Sequence, residues 1–297
     1  MGPSGHSNGT SPRTRPSEPG QADEPELDML ETAGDLLSPL ERFQIRFVRR
    51  TLQHGRLDST LRWFQRTIGQ GWINHSIRNL LHVHGLERLP ELDVRESYVL
   101  VSNHRSFFDL YVVTAYLVAR GLPHRILFPV RSNFFYDHPL GMVVNGAMSF
   151  FAMYPPVFRD RKRQALNLAG IDEVARLLRV GGAFVGLHPE GTRNKDGDPY
   201  QLLPAQAGVG RIIHKARVTV LPVFIHGLVN SIPEQVVTNA TKRGEPVHMV
   251  FGAPVDFGRL LDAPGSGRTF RRISELAREA IVALGDEERA HRAASAR

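Results

Sequence analysis

The chain has 297 residues, 41% of them hydrophobic and 23% charged, a composition that supports a folded core and excludes collagen-like or multi-span membrane proteins. It contains no cysteine, so disulfides, thiolate nucleophiles and Cys-ligated zinc or iron–sulfur sites are excluded. A formal net charge of +7 favours acidic partners: nucleic acid, anionic lipid or phosphorylated small molecules.

The charge is unevenly placed. Residues 1–38 set Arg13 and Arg15 against Glu18, Asp23, Glu24, Glu26, Asp28, Glu31 and Asp35, a net of −5, which leaves +12 elsewhere. Residues 1–26 are crowded with Gly, Pro and Ser and offer little apolar surface to offset the entropy of ordering. A disordered acidic tail is therefore expected over 1–38, and no stretch in it resembles a signal peptide.

Residues 39–82 reverse the charge. Between Pro39 and Leu80 eight arginines face only Glu41 and Asp58. Leu40, Phe43 and Phe47, then Leu57, Leu61, Phe64, Ile68 and Trp72, recur at helical spacing. The spacing predicts two basic amphipathic helices joined near His54–Gly55. One reading packs them on the core like ordinary surface helices. The other lays Phe64, Ile68 and Trp72 into an anionic membrane surface, as a peripheral or monotopic element on its cytoplasmic face. Nucleic acid is disfavoured, because the segment has no recognised reading motif. The longest uncharged run, Leu140 to Phe158, contains Asn145, Pro155 and Pro156, which makes a poor spanning helix and a plausible buried lining.

Short apolar runs then alternate with amphipathic stretches. Strands are predicted at Tyr98–Val101, Arg125–Val130, Ala183–Leu187, Thr219–Ile225 and Val247–Phe251. Helices are predicted over 106–120, 163–180, 207–216 and 268–284. This alternation argues an α/β domain over 83–285, a mostly parallel or mixed sheet flanked by helices, with a polar tail at 286–297.

Two loops carry chemistry. Asn103-His104-Arg105-Ser106-Phe107-Phe108-Asp109 follows a buried strand, where α/β folds place their sites. A carboxylate that fixes one imidazole nitrogen lets the other take a proton from a hydroxyl. Ser106 and Asp109 also form an S-x-x-D capping box, so Asp109 has a helix-start reading beside the catalytic one. His188-Pro189-Glu190-Gly191-Thr192-Arg193 follows another strand. There Gly191 permits close backbone approach, while Thr192 and Arg193 donate to anionic oxygens; the alternative is a turn with a surface Glu–Arg pair. The basic run Arg159–Arg163 closes an apolar stretch and suits a phosphate head on an amphiphile, or a solvated helix start. His82 and His84 share one strand face but lack a partner cluster, so packing is favoured over metal binding.

Taken together these motifs resemble the glycerolipid acyltransferase family of lysophosphatidic acid and glycerol-3-phosphate acyltransferases. Asn103-His104 through Asp109 resembles its NH-x4-D block, Arg159 the arginine of the second block, and Leu221-Pro222-Val223 the fourth. Glu190-Gly191-Thr192-Arg193 matches the third letter for letter. The likeness spans about 83–255. Two positions depart from the pattern: Gln206 stands where a lysine is common, and Pro155 and Pro156 interrupt the second block.

The resemblance implies acyl transfer from a thioester to a lysophospholipid hydroxyl, foremost that of 1-acyl-glycerol-3-phosphate, giving phosphatidic acid. His104 would be the base and Asp109 its orienter. Arg193 and Arg159 would hold the acceptor phosphate, with Glu190 accepting from acceptor hydroxyls or orienting Arg193, and Gly191 and Thr192 would belong to the same substrate-binding set. Backbone N–H groups at the start of the Ser106 helix would serve the oxyanion. Neither cofactor nor metal is implied, only acyl-CoA or acyl-acyl-carrier-protein as co-substrate. The alternatives are another acceptor, glycerol-3-phosphate or a different lyso-lipid, and a catalytically silent membrane-binding protein of the same fold.

Overall fold

The computed structural model describes residues 26–53, 55–194 and 197–295. Among them seven strands form one sheet: β1 (Leu81–His84), β2 (Tyr98–Ser102), β3 (Arg125–Arg131), β4 (Met153–Val157), β5 (Ala183–Leu187), β6 (Thr219–His226) and β7 (Val247–Phe251). Their order is β1-β7-β6-β2-β5-β3-β4. The five from β6 to β4 run parallel; β7 is antiparallel to β6, and β1 is parallel to β7.

The helices are α1 (Met29–Thr32), α2 (Pro39–Thr51), α3 (Arg56–Phe64), α4 (Gln70–His75), α5 (Asp109–Ala119), α6 (Ser132–Phe135), α7 (Pro139–Ser149), α8 (Gln164–Val180), α9 (Ala207–Ala216), α10 (Ile232–Thr241) and α11 (Gly267–Ser295). They cover both faces of the sheet. In β2, Val99 and Val101 enter the core shared with α8, α9 and α11, while Tyr98 and Leu100 enter the core shared with α5. The two-residue period of a strand explains both the uniform burial and the unbroken apolar run. At the α9–α11 crossing, a Cβ on Gly210 would lie 1.8 Å from the Phe270 carbonyl, so only glycine lets these backbones meet.

The acidic tail ends earlier than composition indicated. Residues 1–25 lie outside the described residues, but Leu27 to Leu37 fold onto the domain. Met29, Ala33 and Leu37 are buried, and Asp28 both caps α1 and holds Arg49 at 2.8 Å. The few apolar groups suffice because the acids find arginines far along the chain. The C-terminal boundary also moves. Helix α11 continues to Ser295, anchored by buried Glu288, which accepts from Tyr200 and from Arg292.

Ser38 and Glu41 make a reciprocal capping box at the start of α2, with Pro39 pre-set for the first turn. A π-helical turn at Gln65–Gly69 joins α3 to α4. Its extra residue rotates α4 relative to α3 and breaks the expected stripe. Phe64 stacks on Phe150 at 5.6 Å and Trp72 packs against the α5 core, so only Ile68 of the three stands exposed, at 53%. Trp63 and Phe43, each 57% exposed, are the aromatic groups facing out.

The run from Leu140 is not a uniformly buried lining. It forms α7, whose Leu140 and Val143 are exposed, and then β4. Pro155 and Pro156 are tolerated because β4 is the edge strand. Phe150 and Phe151, both with positive φ, send their rings apart, Phe150 onto Phe64 and Phe151 onto Phe47, which ties α7 to both flanking helices. Among the described residues no helix is long and apolar enough to cross a membrane. His82 and His84 stack on His248, and His84 also on His291.

Candidate active site

The chemistry-bearing residues converge at the carboxyl ends of the five parallel strands. His104 follows β2, Arg131 ends β3, Arg159 follows β4, the His188–Arg193 loop follows β5, and Asn230 follows β6. Parallel strands point all their C-terminal loops to one edge, which is why residues over a hundred positions apart meet.

The loop after β2 is held by its neighbours. Buried Asn103 exchanges two hydrogen bonds with the backbone of Ile225, accepting from its N–H at 2.9 Å and donating to its carbonyl at 2.8 Å. The His104 N–H donates to Glu190 Oε1 at 2.8 Å, and the His104 carbonyl accepts from the Asn194 N–H at 2.9 Å. Glu190 Oε2 accepts from the Leu203 N–H at 2.8 Å. Both carboxylate oxygens therefore bind main chain, and burial raises the Glu190 pKa. Glu190 is a strut between loops. That bracing role stands beside the one expected from the motif, since each oxygen takes a single backbone donor.

His104 Nδ1 lies 3.3 Å from Asp109 Oδ2, at the long end for a hydrogen bond. That oxygen also accepts from the Arg105 and Ser106 N–H groups, each at 2.8 Å. Asp109 thus serves both readings, since one oxygen ties down the helix start and faces the imidazole. The Phe107 N–H goes to Asn230 Oδ1 and the Phe108 N–H to Ser106 Oγ. The four amides of residues 105–108, just ahead of α5, each have a side-chain acceptor in this arrangement.

Burial pushes the Asp109 carboxyl up to about 7, opposed by His188 and the two amides. Burial also pushes the His104 imidazole down to about 4, with Arg193 acting in the same direction. The pair accordingly carries one proton between those values and none above about 7. The His104 ring stacks on His188, centroids 3.7 Å apart and planes within 9°. Ring nitrogens of both histidines and a carboxylate oxygen of Asp109 lie within 4.8 Å of one another, the one such group among the described residues close enough to hold a metal ion.

Gly191 has φ +66, a left-handed position in the turn closed by its N–H onto the His188 carbonyl. The turn leaves Thr192 exposed and Arg193 half-buried. Arg159 donates to Thr192 Oγ1 at 3.2 Å, and Arg193 to Asn230 Oδ1 at 3.2 Å. Their partners are neutral. Burial lowers the Arg159 pKa, and the charges of Arg131 and Arg193 lower it further, so three guanidiniums share this edge.

The Acyltransferase family model matches residues 80–226. A chloroplastic 1-acyl-sn-glycerol-3-phosphate acyltransferase of Brassica napus is 32% identical over 178 residues, covering 59% of this chain and 46% of the relative. The alpha form of Homo sapiens is 27% identical over 145 residues, covering 49% of this chain and 45% of the relative. The chain belongs to the glycerolipid acyltransferase family. It spans about half the length of the curated relatives it matches. The crystal structure of the 1-acyl-sn-glycerophosphate (LPA) acyltransferase PlsC from Thermotoga maritima shares the fold, with TM-score 0.50 over 88% of this chain and 93% of that one, at 19% identity.

Within this family fold the structure joins His104, Asp109, Arg159, Thr192 and Arg193 at one edge and assigns Glu190 to its support. It separates Phe64 and Trp72 from the surface. Sequence reasoning missed Arg131, Asn230 and His188. Arg131 and Asn230 carried one usable signal: each lies at or just beyond the carboxyl end of a parallel strand.

Proposed function

We propose that the protein is an O-acyltransferase that moves a fatty acyl group from a thioester to the free hydroxyl of 1-acyl-glycerol-3-phosphate, giving phosphatidic acid. The observation that carries this reading is His104 held beside buried Asp109 at the same strand edge as three arginines. With Nδ1–H donated to Asp109, Nε2 keeps its lone pair and acts as the general base. The acceptor oxygen attacks the thioester carbonyl while its proton passes to Nε2. The tetrahedral adduct expels the thiolate, which takes that proton back and leaves as free thiol. The relatives' printed names supply the acceptor. Acyl-CoA or acyl-acyl-carrier-protein would be the donor.

The acceptor phosphate fits Arg131, Arg159 and Arg193, whose guanidiniums form paired, charge-assisted hydrogen bonds with phosphate oxygens.

We further propose docking on an anionic membrane through α2–α4. The two acids of this segment are withdrawn: buried Glu41 pairs with Arg163 at 2.6 Å and buried Asp58 with Arg62 at 2.8 Å. Arg46, Arg50, Arg56 and Arg66 remain exposed beside Phe43, Leu57, Trp63 and Ile68. Cationic and apolar groups without acid are what an anionic interface binds.

The deciding experiment is turnover of a long-chain acyl-CoA with purified 1-acyl-glycerol-3-phosphate. His104→Ala should lower kcat by at least about 10²-fold with an unchanged melting temperature. Full turnover in that variant ends the mechanism; wild-type protein inert toward every lysophospholipid and thioester ends the assignment.

A further inference from the structure

His188 sits one residue past β5, and its ring Nδ1 lies 3.0 Å from the carbonyl of Ser102, the last residue of the neighbouring β2. A carbonyl only accepts, so that nitrogen carries the proton and the tautomer is fixed. The contact also fixes the plane of the ring, because both its ends are set by adjacent strands of one rigid sheet. On that plane lies the His104 imidazole, 3.7 Å away and within 9° of parallel. His104 has no comparable anchor of its own. Its approach to Asp109 is long, at 3.3 Å, and its other nitrogen must stay open for substrate.

We propose that His188 is a positioning residue, a flat neutral plate that holds the His104 ring with Nδ1 toward Asp109 and Nε2 toward the acceptor hydroxyl. Burial, followed by the nearby His104, holds the His188 pKa down at about 3, so the plate carries no charge to oppose the imidazolium formed during transfer. The face of the ring does the positioning, while Nδ1 only moors it to the sheet. The plate also limits tilting of the base, and an ångström of misplacement at a reacting centre can cost about 10²-fold in rate. The inference rests on the reading of His104 as the base.

Three variants separate face from nitrogen. His188→Phe keeps a planar ring without nitrogen, whereas His188→Leu fills the space without a plane and His188→Ala empties it. The expected result is a fall in kcat of about 10- to 100-fold for the Ala and Leu variants, with KM for donor and acceptor within about threefold. The Phe variant keeps the plane but loses its mooring, so its kcat should fall by less than that of the Leu variant, by up to about tenfold. A second readout needs no substrate: nitrogen-15 correlation spectra of the histidine rings. His104 should appear as a single Nδ1–H tautomer in wild type and in the His188→Phe variant, and as a tautomer mixture in the Leu variant. Normal kcat with a single His104 tautomer in the Leu variant would overturn the proposal. So would equal losses in the Phe and Leu variants, which would make the nitrogen the active part. An inactive wild type with these spectra intact would remove the catalytic reading but leave the ring support standing.

Discussion

The backbone N–H of His104 and the carboxylate of Glu190 meet at 2.8 Å, one of the bonds that couple the two motif-bearing loops. The other oxygen of Glu190 holds Leu203, so the carboxylate braces two backbone segments at once. Replacing it with Gln puts an N–H₂ against one of two backbone donors. Leaving a buried donor unpaired costs about 1–3 kcal/mol, so Glu190→Gln should melt lower and lose kcat as the His104 loop relaxes. Calorimetry alongside steady-state kinetics checks this. An unchanged melting temperature with a raised acceptor KM would return Glu190 to substrate contact.

The Asp109–His104 pair sets the pH response. The base-competent form has lost the shared proton, and that proton leaves as pH rises through about 7. Values of kcat/KM should therefore climb through about pH 7 and level above it. Asp109→Asn removes the carboxyl titration, so the rise should shift toward the lower value of His104, at much reduced rate. A wild-type profile flat from pH 5 to 8 would sink this assignment.

Stability gives an independent view of the same carboxyl. Its folded pKa, about 7, lies above the ordinary 3.8, so the stability it contributes is full below 3.8 and is lost as pH rises through about 7. Asp109→Asn escapes that loss yet keeps an oxygen for the Arg105 and Ser106 amides. Relative to wild type, it should melt higher at pH 8 than at pH 5 while turning over slowly. Equal destabilisation at both pH values would make the helix-start role dominant.

The strands and the long helices were legible because their signal is local. Ala183–Leu187, Val247–Phe251 and the 207–216 helix stand where the runs of apolar residues place them. His104 and Asp109 were legible too, being five residues apart on one loop. The features that escaped depend on distant partners. Nothing near Asp28 announces Arg49, and nothing near Leu284 announces that Glu288 will be buried against Tyr200. The stripe through Phe64, Ile68 and Trp72 failed because a π-turn alters the very period used to draw it. Arg131 escaped because an arginine ending a strand is unremarkable until the sheet order brings Arg159 and Arg193 to the same edge.

Those three arginines have distinguishable consequences. Arg193→Ala should raise KM for a phosphate-bearing acceptor by about tenfold or more, equivalent to about 1.4 kcal/mol, with little change in donor KM. Arg193→Lys should recover only part of this, because ammonium supplies charge without the planar fork. Arg131→Ala should act in the same direction and fade with an acceptor lacking phosphate. Equal effects on both substrates, or an effect on donor alone, would assign the cluster to the thioester carrier.

Membrane attachment separates exposed groups from packed ones within a single segment. Each exposed arginine near an anionic surface contributes on the order of 1 kcal/mol, screened over roughly 10 Å at moderate salt. Binding to vesicles containing anionic lipid should weaken as salt rises and persist in part through the apolar groups. Trp63→Ser combined with Ile68→Ser should release the protein even at low salt without lowering its melting temperature, since both side chains are more than half exposed. Leu140→Ser combined with Val143→Ser tests whether α7, tied to these helices through Phe150 and Phe151, reaches the same surface. Phe64→Ser should do the reverse, lowering the melting temperature because its ring stacks on Phe150. Co-sedimentation across a salt series, with a melting curve for each variant, reads all of them. Wild-type protein that ignores anionic vesicles at every salt concentration would reject the docking surface and leave α2–α4 as ordinary packed helices.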